Sequence, residues 1–502
     1  MSFFNRNTNP FEQHTGAMKL TNITNMTAIL GFLVVVLLVI VKAKLVGVAL
    51  VVAAFASLGI LFAIFNNPKV GIYLILVMSF FVTGAARYVD APWGLSIDFL
   101  LVLMYLALFF KSFSQKIPWH KAKSSLTWLV LIWMGYIFLE LGNPEVVSYE
   151  AWFYSMRGLG FYQAMIIPLL FMLYDKQKDL NNFFIFWGVL SLLGSLKGLI
   201  QYTIGLDPFE EIWINTTSAA NTHVIFGKLR IFSFYSDAGQ FGASQGHAGV
   251  VFGILTVFRK INVKIRSFYL IVALAGFFGL VVSGTRGALA VPAIGGIMFL
   301  ILRKNIALIT VGGLFFVAVY VFFAYTKIGN GNADIRRVRS AFNPNDASFQ
   351  VRLNNQQILK GYLATRPFGG GVGATGHWGK RFAPHTFLAK IPTDSWYVAI
   401  WSDTGIIGLT YYLGMMFFVL ITGAYNVMVR IRDPELKVEM TALVCGLAGI
   451  MTASYGNTVF GQMPTAILMY ATMTFLFLAP KLDKERQKIN NNDKKKVLVD
   501  AN

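Results

Sequence analysis

Hydrophobic positions along this chain fall into long unbroken runs, and polar positions gather in the gaps between them. A bilayer core needs about 20 predominantly apolar residues per helix. Runs of that kind occupy about 24–41, 45–65, 70–86, 95–110, 126–141, 158–174, 183–204, 239–258, 267–283, 287–302, 306–325, 405–428, 438–455 and 463–479. They predict an all-α fold, a polytopic transmembrane helical bundle of about fourteen helices. The first two runs form a tight hairpin and are the least separable as full spans. The longest polar gap, 326–394, is expected to be a large extracytoplasmic loop containing short helices. The pattern thus divides the chain into a cytosolic N-terminal segment (1–23), helices 1–11 (24–325), the large loop (326–394), helices 12–14 (395–479) and a basic cytosolic tail (480–502), the last read as disordered.

Composition fits this reading. The 502 residues are 56% hydrophobic and only 13% charged, against roughly 45–50% apolar in soluble domains, and the mean hydropathy is +0.60. The net charge of +20 would suggest nucleic acid in a soluble protein. Here the cations sit in loops and in the tail, where anionic headgroups and membrane orientation account for them. The expected partner is therefore the lipid bilayer and not nucleic acid. The single cysteine, Cys445, lies in an apolar run, so no internal disulfide forms and a Cys-based metal site is not expected. The first 23 residues are polar, with no small-residue cleavage site after a short apolar core, so the first helix is expected to be retained.

Charge also predicts orientation, because basic short loops stay in the cytoplasm. Lys111, Lys116, Lys121 and Lys123 form one such loop; Arg259, Lys260, Lys264 and Arg266 a second; Arg303 and Lys304 a third; Arg430 and Arg432 a fourth. Fourteen spans with both termini inside put all of these, and the basic tail, on one side. The same count puts 143–150, 205–238 and 326–394 outside. Lys42 and Lys44 fall outside and break the rule. The large loop carries ten Lys/Arg against Asp334, Asp346 and Asp394, but long loops translocate largely regardless of charge. Its basic character points to anionic chemistry there. No Gly-rich phosphate fingerprint follows a strand pattern, and no loop is long enough for a nucleotide-binding fold.

Four segments on the predicted outer face stand out. RIFSFYSDAGQFGASQGHAG (230–249) sets Arg230 just before a helix that Asp237, Gln240, Gln245 and His247 enter. SGTRGA (283–288) sets Arg286 between two apolar helices, where small neighbours let the backbone approach a ligand. Arg286 is read either as snorkelling to headgroups or as holding an oxyanion. FQVRLNNQQILKGYLATRPFGGGVG (349–373) follows Asp346 and Ser348, which offer an N-cap for a helix ending near Thr365, because Pro367 disfavours helix at Arg366. Gly369 to Gly373 then make an irregular turn. TDSWYVAIWSDTGIIGL (393–409) opens with Asp394, read as a cap, a functional carboxylate, or both, followed by interfacial aromatics such as Trp396, Tyr397 and Trp401.

In this order, the four segments resemble the O-antigen ligase and O-antigen polymerase superfamily of bacterial membrane proteins, over roughly 230–410. The motifs are the Arg before an outward-facing helix start, S-G-x-R-G-A, the run ending R-P-x-G-G-G-x-G, and a polar pair some twenty residues on that leads to D-T-G-I-I-G-L. The resemblance implies a glycan transferase in the bacterial inner membrane, acting outside it on a polyprenyl-pyrophosphate-linked glycan. Ligases carry a catalytic His followed by Asn where this chain has Asp394-Ser395, which favours a polymerase-like or exopolysaccharide branch. His377 and His385 lie earlier in the loop and do not match the motif position.

Transfer needs a base for the acceptor hydroxyl and charge stabilisation for the leaving diphosphate. Arg230 and Arg286 are expected to grip the pyrophosphate bidentately, assisted by Arg352 or Arg366. Asp394 is expected to act as base in an inverting displacement onto a glycan or lipid acceptor. Lys197, Asp237, Gln240 and His385 complete the candidate substrate-binding set. No D-x-D pair is present on this face, so metal-independent chemistry without a cofactor is expected. Asp98, Glu140, Arg157 and Lys197 lie in or at the ends of spans, where charge is costly. Lys197 is read as pairing with Asp98 or Glu140, or as touching the lipid diphosphate. A transporter or flippase is the main rival and predicts internal repeats with broken helices at midplane; no repeat is evident. A scaffold binding acidic polymer is the third reading.

Overall fold

The computed structural model describes residues 55–500, except 218, 219, 226, 332 and 344. The segment 1–23, the run 24–41, Lys42 and Lys44, and the first half of the run 45–65 lie outside the described residues. Contacts divide the chain after Asn67. Before that point stands a short apolar helix, α1 (Phe55–Asn66).

From Pro68 onward the chain is built of helices. The first group is α2 (Lys69–Ala85), α3 (Leu95–Ser112), α4 (Ser125–Leu139), α5 (Tyr149–Met156), α6 (Tyr162–Leu173) and α7 (Gln177–Thr203). Short α8 (Pro208–Thr216) and α9 (Ala220–His223) lead to a hairpin of two-residue strands, β1 (Val224–Ile225) and β2 (Lys228–Leu229). Then come α10 (Ala238–Phe258), α11 (Val263–Val282), α12 (Ala290–Arg303) and α13 (Ile306–Tyr325). The large loop holds α14 (Ala333–Ser340), α15 (Ala347–Leu363), α16 (Gly376–Phe382) and α17 (Phe387–Lys390), before α18 (Trp396–Tyr425), α19 (Pro434–Gly456) and α20 (Thr465–Asp500).

Among the described residues, eleven helices are long and apolar enough to cross a membrane; α1 and α2 are apolar but shorter. The chain is thus a multi-pass membrane protein. Each apolar run from 70–86 onward falls on a helix. Several spans begin earlier than their runs; the one at Tyr149–Leu173 does so because a π-turn at Arg157–Phe161 joins α5 to α6. Polar caps set many starts: Ser124, Ser148, Asp237, Asn262, Asn305, Asp346 and Asp433 each accept a backbone N–H from the first turn, satisfying donors a helix leaves orphaned. In lipid, helices associate through close packing of small residues. At Gly276 of α11 a Cβ would stand 2.6 Å from the Gln245 carbonyl of α10, so only glycine permits that approach.

The connecting segments sort into two groups. In one, Arg87 donates to the Ser233 carbonyl, Arg230 to Thr285 Oγ1, Arg366 pairs with Glu145, and Arg286 pairs with Asp346; these contacts bring 85–94, 140–150, 204–238, 283–287 and 326–395 together. In the other, Asp175 joins Lys121 to Lys481, and Glu439 binds both Arg259 and Arg486. This second group holds the basic short loops. The tail does not begin as a disordered segment: α20 runs through Pro480 to Asp500, and Arg486 also pairs with Asp433. The helix persists there because its charged face is anchored to α19.

Candidate active site

The large loop packs on the group of segments that holds Arg230 and Arg286. α15 starts where the sequence places it, with Asp346 Oδ1 accepting from Phe349 N. Its apolar side, Leu359 and Leu363, joins Ala374, Leu388 and Ile391 in a small core. The glycine-rich turn is built against two neighbours rather than left loose. Gly369, Gly371 and Gly373 all have positive φ. A Cβ on Gly371 would stand 3.0 Å from Val146 Cα, and one on Gly373 2.4 Å from the Ala151 carbonyl. Asp403 pins the turn from the other side, accepting from Gly373 N at 3.0 Å and Thr375 Oγ1 at 2.7 Å. Its own chain breaks helix geometry at Gly405 (φ 67°, ψ −170°), so α18 is two helices joined at a kink.

Two adjoining clefts open among these elements. The smaller, ≈ 220 Å³, is lined by Arg286, Asp346, Ser348, Arg352, Asp394 and Tyr455 among others. The larger, ≈ 710 Å³, includes Arg230, Asp237, Gln240, Arg352, His377, Trp378, Asp394 and Asn457 in its lining. That volume suits a small-molecule site, typically about 300–1,000 Å³. Arg352, Pro392 and Asp394 line both, so the clefts share one wall.

Asp394 stands on that shared wall. It does not cap α18; Ser395 does, accepting from Val398 N. The carboxylate keeps a loose contact with Arg352 (Nε–Oδ2 3.4 Å), and its side chain is 47% exposed. Arg286 is held firmly. Its Nη1 donates to Asp346 Oδ2 and Ser340 Oγ, both at 2.7 Å, and its Nη2 to Asp346 Oδ1 and Ser348 Oγ, both at 3.1 Å. A guanidinium has five N–H donors, so four are engaged. Arg286 therefore does not snorkel; it anchors the start of α15. Arg230 is deeper and less engaged: Nη2 donates to Thr285 Oγ1 at 2.6 Å, Nη1 to the Thr222 carbonyl at 2.9 Å, and Nε has no partner. Burial first, then repulsion from Arg337 and Arg286, pulls its pKa down to about 10. It remains a cation at neutral pH, with Asp237 the negative charge that acts on it.

Of the other candidates, Asp237 caps α10 through Gln240 N and accepts from Ser236 Oγ. Gln240 is buried, with Nε2 on Thr465 Oγ1. Arg366 lies over the Tyr362 ring at 4.1 Å and pairs with Glu145, and it lines neither cleft. His385 is exposed and likewise lines neither, whereas His377 lines the larger. Lys197 pairs with Asp207 (2.8 Å) and Glu210 (3.1 Å) rather than with Asp98 or Glu140, and it too lies away from both clefts. Asp98 is taken by Arg157, and Glu140 accepts from Asn143. Among the described residues no cluster of His, Cys, Asp or Glu is arranged to hold a metal ion. The sequence reading missed Asn457, Trp378 and Tyr154, which line the larger cleft, and the pinning role of Asp403. Only Asp403 had a visible signal, the D-T-G motif.

A family model described as O-Antigen ligase matches residues 270–413. The match covers the last three of the four segments and supports the O-antigen ligase superfamily resemblance, which suggests glycosyltransferase-like function of the O-antigen ligase or polymerase type. No curated protein matches the chain.

Proposed function

We propose that this protein is an inverting, metal-independent glycosyltransferase of the inner membrane. It moves a glycan from a polyprenyl-pyrophosphate donor to a hydroxyl acceptor on the extracytoplasmic side, polymerising O-antigen or exopolysaccharide repeat units. The observation that carries the reading is the position of Asp394, a half-exposed carboxylate on the wall between two clefts, one holding Arg230 and the other Arg286. The two clefts meet at this wall, so a base there stands next to a diphosphate reached by both arginines.

Asp394 takes the proton of the acceptor hydroxyl as its oxygen attacks the anomeric carbon from the face opposite the leaving group. The bond from that carbon to the phosphate oxygen breaks, and the lipid diphosphate departs with the electron pair. Arg230 has donors open for the diphosphate, and its crowding by other guanidinium groups is relieved when an anion arrives. Arg286 adds positive field and, by exchanging Asp346 for phosphate oxygen, further hydrogen bonds. Arg352 orients Asp394. Arg366, Lys197 and His385 stand outside the reacting centre.

A second reading, ligase transfer to lipid A core or protein, is favoured by the description of the matching family. Deleting the gene and resolving surface glycan on gels separates the two. Loss of long chains with single repeats retained means polymerase; lipid-linked polymer that never reaches its acceptor means ligase. Complementing with Arg230→Ala or Asp394→Asn should leave the deletion phenotype in place with normal protein in the membrane. Normal polymer from both variants overturns the assignment.

A further inference from the structure

Two buried polar atoms at the larger cleft have no part in the transfer just described. Gln240 is 1% exposed. Its Nε2 donates to Thr465 Oγ1 at 2.9 Å and faces the Gln462 and Met463 carbonyls, each at 3.2 Å. Three acceptors around the nitrogen fix the sense of the amide, and Oε1 is left with no partner. Asn457 packs beside the same turn of helix. A Cβ on Gly239 would stand 3.4 Å from Asn457 Oδ1, and one on Gly287 2.9 Å from Nδ2. Asn457 Nδ2 is also buried and unpartnered.

A buried acceptor with no donor, and an unpartnered amide one helical residue away from it in the packing, differ from a cationic pocket. A diphosphate offers acceptors alone, and Gln240 Oε1, whose sense is fixed, would repel it. A hydroxyl or acetamido group offers both senses. Buried polar atoms are costly to leave unpaired, so a ligand with both senses is the one this wall selects. Tyr154 and Trp378 line the same cleft, their rings 4.6 Å apart and near parallel, and aromatic rings suit the apolar C–H face of a pyranose.

We propose that Gln240 and Asn457 form a sugar subsite in the larger cleft, with Gln240 Oε1 accepting from, and the Asn457 amide hydrogen-bonding with, hydroxyl or acetamido groups of a bound glycan. The natural ligand's identity rests on the transferase reading; the chemistry of the pair does not. The test uses the full-length protein in lipid nanodiscs. Free oligosaccharides, hexose-only or containing N-acetylhexosamine, and inorganic pyrophosphate are titrated separately, with saturation-transfer NMR as the readout. Asn457→Ala should weaken oligosaccharide binding about tenfold and change pyrophosphate binding by less than about twofold. Retained pyrophosphate binding also shows that the variant is folded. Asn457→Ser, which keeps a shorter donor, should lose less and serves if Asn457→Ala does not fold. The proposal is overturned if no oligosaccharide binds the unaltered protein, or if Asn457→Ala weakens pyrophosphate as much as sugar. Sugar binding that depends on Asn457 in a protein that transfers no glycan would sink the transferase reading alone. Transfer with sugar binding indifferent to Asn457 would sink this inference alone.

Discussion

The contact between Arg286 and Asp346 does two jobs on one carboxylate. Oδ1 caps α15 and both oxygens receive the guanidinium. The hydrogen bond from Arg286, joined by the capping N–H groups, holds the Asp346 carboxyl below its ordinary value of 3.8. A carboxyl whose pKa is lowered in the folded state contributes stability that is fully present above 3.8 and is lost as pH falls through the lower folded value. Asp346→Asn should therefore lower stability at neutral pH and flatten the acid limb below 3.8. Thermal unfolding of the purified protein between about pH 6 and about pH 3 reads this directly; an acid limb as steep as in the unaltered protein would show that Asp346 does not titrate with folding. The same variant leaves Arg286 without its carboxylate. If Asp346 competes with a phosphate for that guanidinium, inorganic pyrophosphate binds Asp346→Asn more tightly than the unaltered chain.

At the scale of elements, the glycine-rich turn and the break in α18 are one construction. Gly405 sits in a backbone region essentially reserved for glycine, and a Cβ there would stand 2.0 Å from the Pro367 carbonyl. Gly405→Ala should cost at least about 1–3 kcal/mol, seen as lower yield and a lower unfolding temperature; an unchanged unfolding temperature would mean that the kink is not required. The apolar runs made the spans legible from 70 onward, because a 20-residue run allows little else in lipid. The cap at Asp346 and the start of α15 were legible too, since both are local. What was not legible is what depends on contacts between distant segments. Asp403 reaches back to Gly373, and Asn457 meets Gly239 and Gly287. No spacing in the chain encodes these meetings. Of the readings left open for Asp394, the cap falls to Ser395 one residue on, and that leaves Asp394 to face the clefts.

For the whole molecule, the division of connecting segments into two groups carries a topological claim. One group gathers the clefts, the large loop, Arg230 and Arg286. The other gathers Lys121, Arg259 and Arg486 with their acidic partners. Short loops rich in Lys and Arg are retained on the cytoplasmic side, and on that rule we propose that the clefts face outward. Cys445, the single cysteine, is buried, so introduced cysteines report without background. Lys360 and Lys116 are both exposed, one in the large loop and one in the first basic loop. A membrane-impermeant maleimide should label Lys360→Cys in cells with an opened outer membrane and an intact inner one, and should label Lys116→Cys only after the inner membrane is permeabilised. The reverse pattern would put the clefts in the cytosol, where a polyprenyl-linked glycan already carried across the membrane is absent, and the transferase would lose its donor. Labelling of both from one side would break the two groups apart and with them the shared wall on which Asp394 stands.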